Sequence, residues 1–117
     1  METLTIYHNP RCSKSRQALA LLQERKVPLR IVEYLKEPPT RTELAALRKK
    51  LGLSPAEWIR KGEAEFKDAG LDKSSPEDKL LDAMAKHPIL IERPIVVRGD
   101  RAVVGRPPER VLDLLGK

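Results

Sequence analysis

Thr3-Leu4-Thr5-Ile6-Tyr7-His8-Asn9-Pro10-Arg11-Cys12-Ser13-Lys14-Ser15-Arg16 is the stretch on which the fold of this chain turns. From Thr3 to Tyr7 polar and apolar side chains alternate, the period of a half-buried strand. The loop His8-Asn9-Pro10-Arg11 breaks that strand, and beyond Cys12 the residues Ala18, Leu19, Leu21 and Leu22 fall at helical spacing. Val27-Pro28 stops the helix, and Leu29, Ile31 and Val32 read as a second strand ending near Tyr34. A strand, a helix and a strand within about thirty residues make a βαβ unit, which sets the two strands parallel with a right-handed crossover. Cys12 then stands at the carboxyl end of the first strand, the edge at which open α/β sheets bind ligands.

A thiol in that position is placed for chemistry. The free N–H groups and the positive end of the helix dipole favour an anion, so the cysteine ionises below its free pKa. The competing reading is a small buried hydrophobe, the commoner fate of a lone cysteine. Arg11, Ser13, Lys14, Ser15 and Arg16 argue against it, because an apolar pocket would hold so many cations and hydroxyls only at a large desolvation cost.

Working outward, 117 residues suit one domain with a single core. No apolar run approaches the length of a membrane span and no signal-peptide pattern precedes the first strand, so a cytoplasmic protein is expected. Cys12 is the only cysteine, which leaves no internal disulfide and suits a reducing compartment. With two histidines besides, a four-ligand metal site is not expected, nor is a bound cofactor. The net charge of +6 favours small anions over nucleic acid, since aromatic residues form only 3% of the chain and offer little to stack on bases.

The middle of the chain reads as a helical insertion, residues 38–88. Thr40-x-x-Glu43 is a capping box ahead of Leu44, Leu47 and Leu51, with Gly52 as the stop. Ser54-Pro55 begins a further helix carrying Trp58, Ile59 and Arg60, and Ser75-Pro76 begins another with Leu80, Leu81 and Met84. Gly62 to Ser75 reads as a mobile connection between them. The last third returns to strands: Ile95-Val96-Val97, a two-residue turn at Gly99-Asp100, and Ala102-Val103-Val104. Arg106-Pro107-Pro108-Glu109 leads into a short helix with Val111, Leu112, Leu114 and Leu115, closed by Gly116. This is the order of a thioredoxin-like α/β domain, residues 1–117: a four-stranded mixed sheet with a helical insertion between the βαβ unit and a C-terminal hairpin plus helix.

In that fold the proline of Arg93-Pro94, just before the third strand, is where a cis peptide bond is expected beside the cysteine; without the fold analogy it is a proline guarding a strand end. With the cis bond, Arg93 comes near Cys12, Arg106 returns to the same edge, and Arg60 can reach it from the insertion, although each arginine taken singly reads more simply as a surface cation. Guanidinium groups suit a tetrahedral oxyanion because each presents two parallel donors to two oxygens.

His8-Asn9-Pro10-Arg11-Cys12-Ser13-Lys14-Ser15-Arg16, Glu33-Tyr34-Leu35 with Pro38-Pro39-Thr40-Arg41, Arg60-Lys61, His87-Pro88-Ile89-Leu90-Ile91-Glu92-Arg93-Pro94-Ile95-Val96-Val97 and Gly105-Arg106-Pro107 together resemble the glutaredoxin-dependent arsenate reductase family. The resemblance spans nearly the whole chain, and several separated motifs agree in order and spacing. It implies a thioredoxin-like fold, a nucleophilic Cys12, oxyanion binding by Arg60, Arg93 and Arg106, and support near the thiol from His8 and Ser15. Arsenate as substrate and glutathione and glutaredoxin as partners follow from the same resemblance, in a protein expected to act as a monomer. The chain stops at Lys117 where the best-known members carry a longer tail, and Val104-Gly105 precedes Arg106 where some place a second cysteine.

Reducing As(V) to As(III) takes two electrons, and two thiols supply them by forming a disulfide. A chain with one cysteine must borrow the second thiol, which independently points to glutathione and then to a dithiol such as glutaredoxin. Two other readings stay open here. A transcriptional regulator of the Spx type shares the fold and the cysteine loop, although its C-x-x-C switch would need a cysteine where Ser15 stands. A monothiol redox or glutathione-binding protein would use the same thiolate and arginines. A phosphatase loop of the C-x5-R form is excluded, because Ala18 occupies the position of its arginine.

Overall fold

The computed structural model describes residues 3–72 and 74–115. It resolves into two compact units, Met1–Glu37 with Arg93–Lys117, and Pro38–Glu92. In the first, a four-stranded mixed sheet has the order β2-β1-β3-β4. Strand β1, Leu4–His8, lies parallel to β2, Leu29–Glu33, with Leu4 opposite Leu29 and His8 opposite Glu33. On its other side β1 runs antiparallel to β3, Ile95–Arg98, which pairs antiparallel with β4, Arg101–Val104. The β3–β4 turn is Gly99-Asp100, where Gly99 takes the positive φ of 59° that a tight hairpin asks of one central residue. This is the thioredoxin-like order expected from the sequence.

Helix α1, Ser13–Glu24, crosses from β1 to β2. Its Ala18 and Leu22 are fully buried with Leu4, Ile6, Val96, Val111 and Leu114, so the strand and helix periods read from the sequence converge on one core. The helix ends earlier than Val27-Pro28: Arg25 is its C-cap and Lys26 turns the chain with a φ of 56°, which brings Pro28 to accept a hydrogen bond from the Leu4 N–H at 2.9 Å. The C-terminal segment Pro108–Leu114 packs as expected, but as a 3-10 helix rather than an α-helix. The expected stop at Gly116 lies outside the described residues.

The second unit contains α2, Arg41–Leu51, with the Thr40/Glu43 capping box and Gly52 at a φ of 68°. It also contains α3, Ala64–Asp68, and α4, Glu77–Lys86. Three expectations change here. Ser54-Pro55 starts only a 3-10 turn, Pro55–Glu57, after which Ile59 pairs with Ile91 in an isolated bridge, because Trp58 and Ile59 are both buried. That bridge keeps residues up to Glu92 with the helical unit. The stretch after Gly62 is not a bare connection: Phe66 and Leu71 are buried, and α3 forms around Phe66. Ser75 does not cap α4, since its hydroxyl accepts from the Asp72 N–H at 2.9 Å and Pro76 takes the cap position.

Two X–Pro bonds are cis, Arg93-Pro94 as expected and Arg106-Pro107, for which the sequence gives no separate signal. The Gly105 N–H donates to the Pro94 carbonyl at 2.8 Å, and a Cβ on Gly105 would stand 2.8 Å from Pro94 Cγ and 2.9 Å from Val111 Cγ1. Neither neighbour is a long flexible chain that can swing aside. Gly105→Ala is therefore expected to lower the unfolding free energy by about 1–3 kcal/mol, read from urea unfolding. An unchanged midpoint would show that the approach is looser than the structure has it.

Candidate active site

The loop between β1 and α1 is shaped by Asn9. Its carbonyl accepts from the Cys12 N–H at 3.0 Å and its Oδ1 from the Arg11 N–H at 3.0 Å, so the chain reverses tightly around Pro10. Arg16 Nη1 reaches back to the Pro10 carbonyl at 2.9 Å and ties the loop to the first turn of the helix. Cys12 occupies the N-cap position with extended backbone, φ −95° and ψ 123°, and its carbonyl accepts the first helical bond, from the Arg16 N–H. The thiol is half-buried.

Burial pushes the Cys12 thiol up. The Ser15 N–H, the Arg93 guanidinium and the Lys14 N–H together outweigh it and hold the thiol below its ordinary pKa. A helix start and a cation thus both favour the anionic form of the sulfur. Alkylation of Cys12 by iodoacetamide should follow the thiolate, so its rate should fall with pH through a midpoint below that of free cysteine. A midpoint at or above the free value would contradict the arrangement.

His8 and Ser15 are both buried beneath the loop. Their side chains share a hydrogen bond, Nδ1 to Oγ, of 2.7 Å, and the Asn9 N–H donates to the same Ser15 oxygen at 3.0 Å. The Ser15 hydroxyl thereby fixes the residue whose own N–H helps lower the Cys12 pKa. Burial lowers the pKa of His8, Glu33 on the neighbouring strand raises it, and Arg16 lowers it further; the net direction is down, which keeps the imidazole neutral near pH 7.

Arg93 reaches the same edge because β3 runs antiparallel to β1 and begins two residues after it. Burial works against its charge, but its interactions with the Cys12 sulfur and with Tyr34 outweigh that and raise its pKa. Arg106 lies beside it, its Nη1 donating to the Arg93 carbonyl at 3.1 Å while the side chain stays exposed. The structure thus gathers Cys12, His8, Ser15, Arg93 and Arg106 in one unit. Arg60 belongs to the other unit, where its guanidinium bonds Glu63 at 3.1 Å and Glu92 at 2.9 Å.

Two further residues of this edge stand in the sequence motifs without a role of their own there. Asn9 carried a usable signal, since Asn-Pro starts turns and an Asn side chain can bond a nearby backbone N–H. Tyr34 carried only its place at a strand end and in the motif Glu33-Tyr34-Leu35, yet it is fully buried and interacts with Arg93. Among the described residues no group of histidine, cysteine and acidic side chains is arranged to hold a metal ion, and no helix is long and apolar enough to cross a membrane.

The chain matches the ArsC family over residues 7–114. It is 46% identical to the arsenate reductase of Neisseria meningitidis serogroup A, over 95% of this chain and 97% of the relative. It is 48% identical to the uncharacterized protein YfgD of Escherichia coli, over 95% of each. Among solved structures, the arsenate reductase from Vibrio cholerae superposes with a TM-score of 0.91 at 45% identity, over 96% of this chain and 97% of that one.

Proposed function

The chain belongs to the ArsC family, and from that premise we propose that it reduces arsenate with the Cys12 thiolate as nucleophile and with glutathione and glutaredoxin as its thiol partners. It is an arsenate reductase, an oxidoreductase. The thiolate attacks arsenic and displaces one oxygen as water, giving a Cys12 S–As(V) adduct. Glutathione thiolate then attacks the Cys12 sulfur. An S–S bond forms, the S–As bond breaks, and its electron pair leaves with arsenic as arsenite. Glutaredoxin attacks the glutathione sulfur of the mixed disulfide and returns Cys12 to the thiolate.

Arg93 and Arg106 hold the oxyanion, Arg93 with a guanidinium already facing the nucleophile. The family resemblance assigns Arg60 to the same task; within its own unit its Nε bonds Glu63 and its Nη1 bonds Glu92. Ser15 and His8 support the thiolate rather than accept its proton, since an ionised thiol needs no base. The protein works as a monomeric cytoplasmic domain without a resident cofactor or metal.

The observation that carries this reading is the sole cysteine of the chain, held at a helix start against a partly buried arginine. The test is arsenate-dependent NADPH oxidation in the presence of glutathione, glutaredoxin and glutathione reductase. The rate should vanish when either arsenate or glutathione is omitted. Thiol exchange without any dependence on arsenate would instead identify a monothiol redox protein.

A further inference from the structure

The segment that carries Arg60 pairs with the segment that ends at Glu92. Ile59 bridges Ile91 antiparallel, the Arg60 N–H donates to the Leu90 carbonyl at 2.7 Å, and the Glu92 N–H donates to the Trp58 carbonyl at 3.0 Å. In that register Arg60 and Glu92 are diagonal neighbours on one face, within reach of each other's long side chains. Arg60 Nη1 donates to Glu92 Oε1 at 2.9 Å, and its Nε donates to Glu63 Oε2 at 3.1 Å. All three side chains are largely buried, at 23% exposure for Arg60, 25% for Glu63 and 24% for Glu92.

One cation between two carboxylates makes a cluster with more negative charge than positive, and partial burial keeps water from screening it as it would at the surface. The two bonds engage Nε and Nη1, so the carboxylates fix the plane of the guanidinium while its Nη2 donors belong to neither bond. We propose that Glu63 and Glu92 are positioning residues that set the oxyanion affinity of Arg60: they fix its fork and offset its charge, so that a tetrahedral oxyanion is held loosely before the thiolate attacks. The reason lies in the chemistry of the substrate. Phosphate has the tetrahedral shape and the charge of arsenate, so a bare cation binds both alike, yet phosphate is not reduced by thiols. Ground-state affinity is therefore shared with an inert anion and lowers KM without raising kcat, whereas the S–As step selects arsenate. Two carboxylates on the arginine keep that shared affinity low.

The proposal rests on the arsenate reductase reading, in which Arg60 serves the oxyanion, and the test separates the two. Glu92→Gln keeps an acceptor for Nη1 and removes one negative charge. It should lower the KM for arsenate and the inhibition constant of inorganic phosphate by the same factor, roughly three- to tenfold, the scale of one partly screened charge acting on a dianion. Glu63→Gln should act in the same direction, and neither effect should survive in an Arg60→Ala background. Phosphate protection of Cys12 against iodoacetamide reads the same affinity without arsenate, and half-protection should need less phosphate in either glutamine variant than in the wild type. Unchanged or weaker phosphate affinity in the two variants would overturn the proposal, as would an absence of protection by phosphate in every form. Equal tightening in the Arg60→Ala background would also overturn it, since the carboxylates would then act without Arg60. A wild type that fails to turn arsenate over would overturn the reductase reading instead, while the protection assay would still read how Glu63 and Glu92 set oxyanion affinity through Arg60.

Discussion

Cys12→Ser should bring arsenate-dependent turnover down to the rate measured without enzyme. The serine hydroxyl fills almost the same space, but the N–H groups of Lys14 and Ser15 and the Arg93 guanidinium cannot ionise an alcohol as they do a thiol. Even an oxygen nucleophile that reached arsenic could not continue, because the reduction needs a sulfur that becomes half of a disulfide. No second cysteine stands in the chain to take over. The loss is not expected to come from unfolding. Serine is a favoured N-cap residue, and position 12 is the N-cap of α1, so the variant should melt at or slightly above the wild-type temperature. Steady-state assays and thermal unfolding on the same preparation check the two halves. Retained arsenate turnover would mean that the chemistry lies elsewhere.

Arg93→Ala should cost roughly a hundred- to a thousandfold in kcat/KM, the range for removing one preorganised donor from a developing or bound oxyanion. Two effects combine. The variant loses a donor pair for the oxyanion, and it loses one of the groups that hold Cys12 ionised. The second can be partly offset by raising the pH and the first cannot, so the pH–rate profile should shift upward without regaining the wild-type plateau. Arg93→Lys should recover little, since a single ammonium cannot meet the sulfur, Tyr34 and an oxyanion with one planar fork. An unchanged kcat/KM in Arg93→Ala would remove Arg93 from the oxyanion site.

Much of the sheet was legible because local period and chain breaks agreed. Thr3 to Tyr7 alternates, Asn9-Pro10 interrupts, and Ala18 and Leu22 fall one helical turn apart, so strand, loop and helix follow from neighbours in sequence. Gly99 at the β3–β4 turn and Thr40/Glu43 at the start of α2 carried equally local signals. Elsewhere the deciding contacts come from far along the chain. Trp58 and Ile59 follow the Ser54-Pro55 helix start, yet the bridge from Ile59 to Ile91 ends the turn after Glu57. Helix α3 is five residues around one buried Phe66, too short to show a period. Ser75 looks like a cap and bonds backward to Asp72 instead.

The site divides in the same way. Cys12 could be singled out because a strand end, a helix start and flanking cations coincide in one short stretch. Arg93 came with its proline, and Arg106 with the hairpin that returns the chain. The sharing of the Ser15 hydroxyl by His8 and the Asn9 N–H, and the placing of Tyr34 against Arg93, depend on how the loop closes and how β2 is registered on β1. No spacing encodes those distances. The ion pairs of Arg60 with Glu63 and Glu92 belong to the same class, for Glu92 is brought to Arg60 by the bridge beside it.

The central claim is that one cysteine reduces arsenate by borrowing its second thiol, and mass spectrometry of the intact protein tests it most directly. The enzyme is mixed with arsenate and glutathione, glutaredoxin is left out, and released arsenite is counted alongside the protein mass. The account predicts one glutathione per chain, attached at Cys12, formed only when arsenate is present and matched one for one by arsenite. Arsenite release from an enzyme that never carries glutathione, or glutathione attached at the same rate without arsenate, would contradict it.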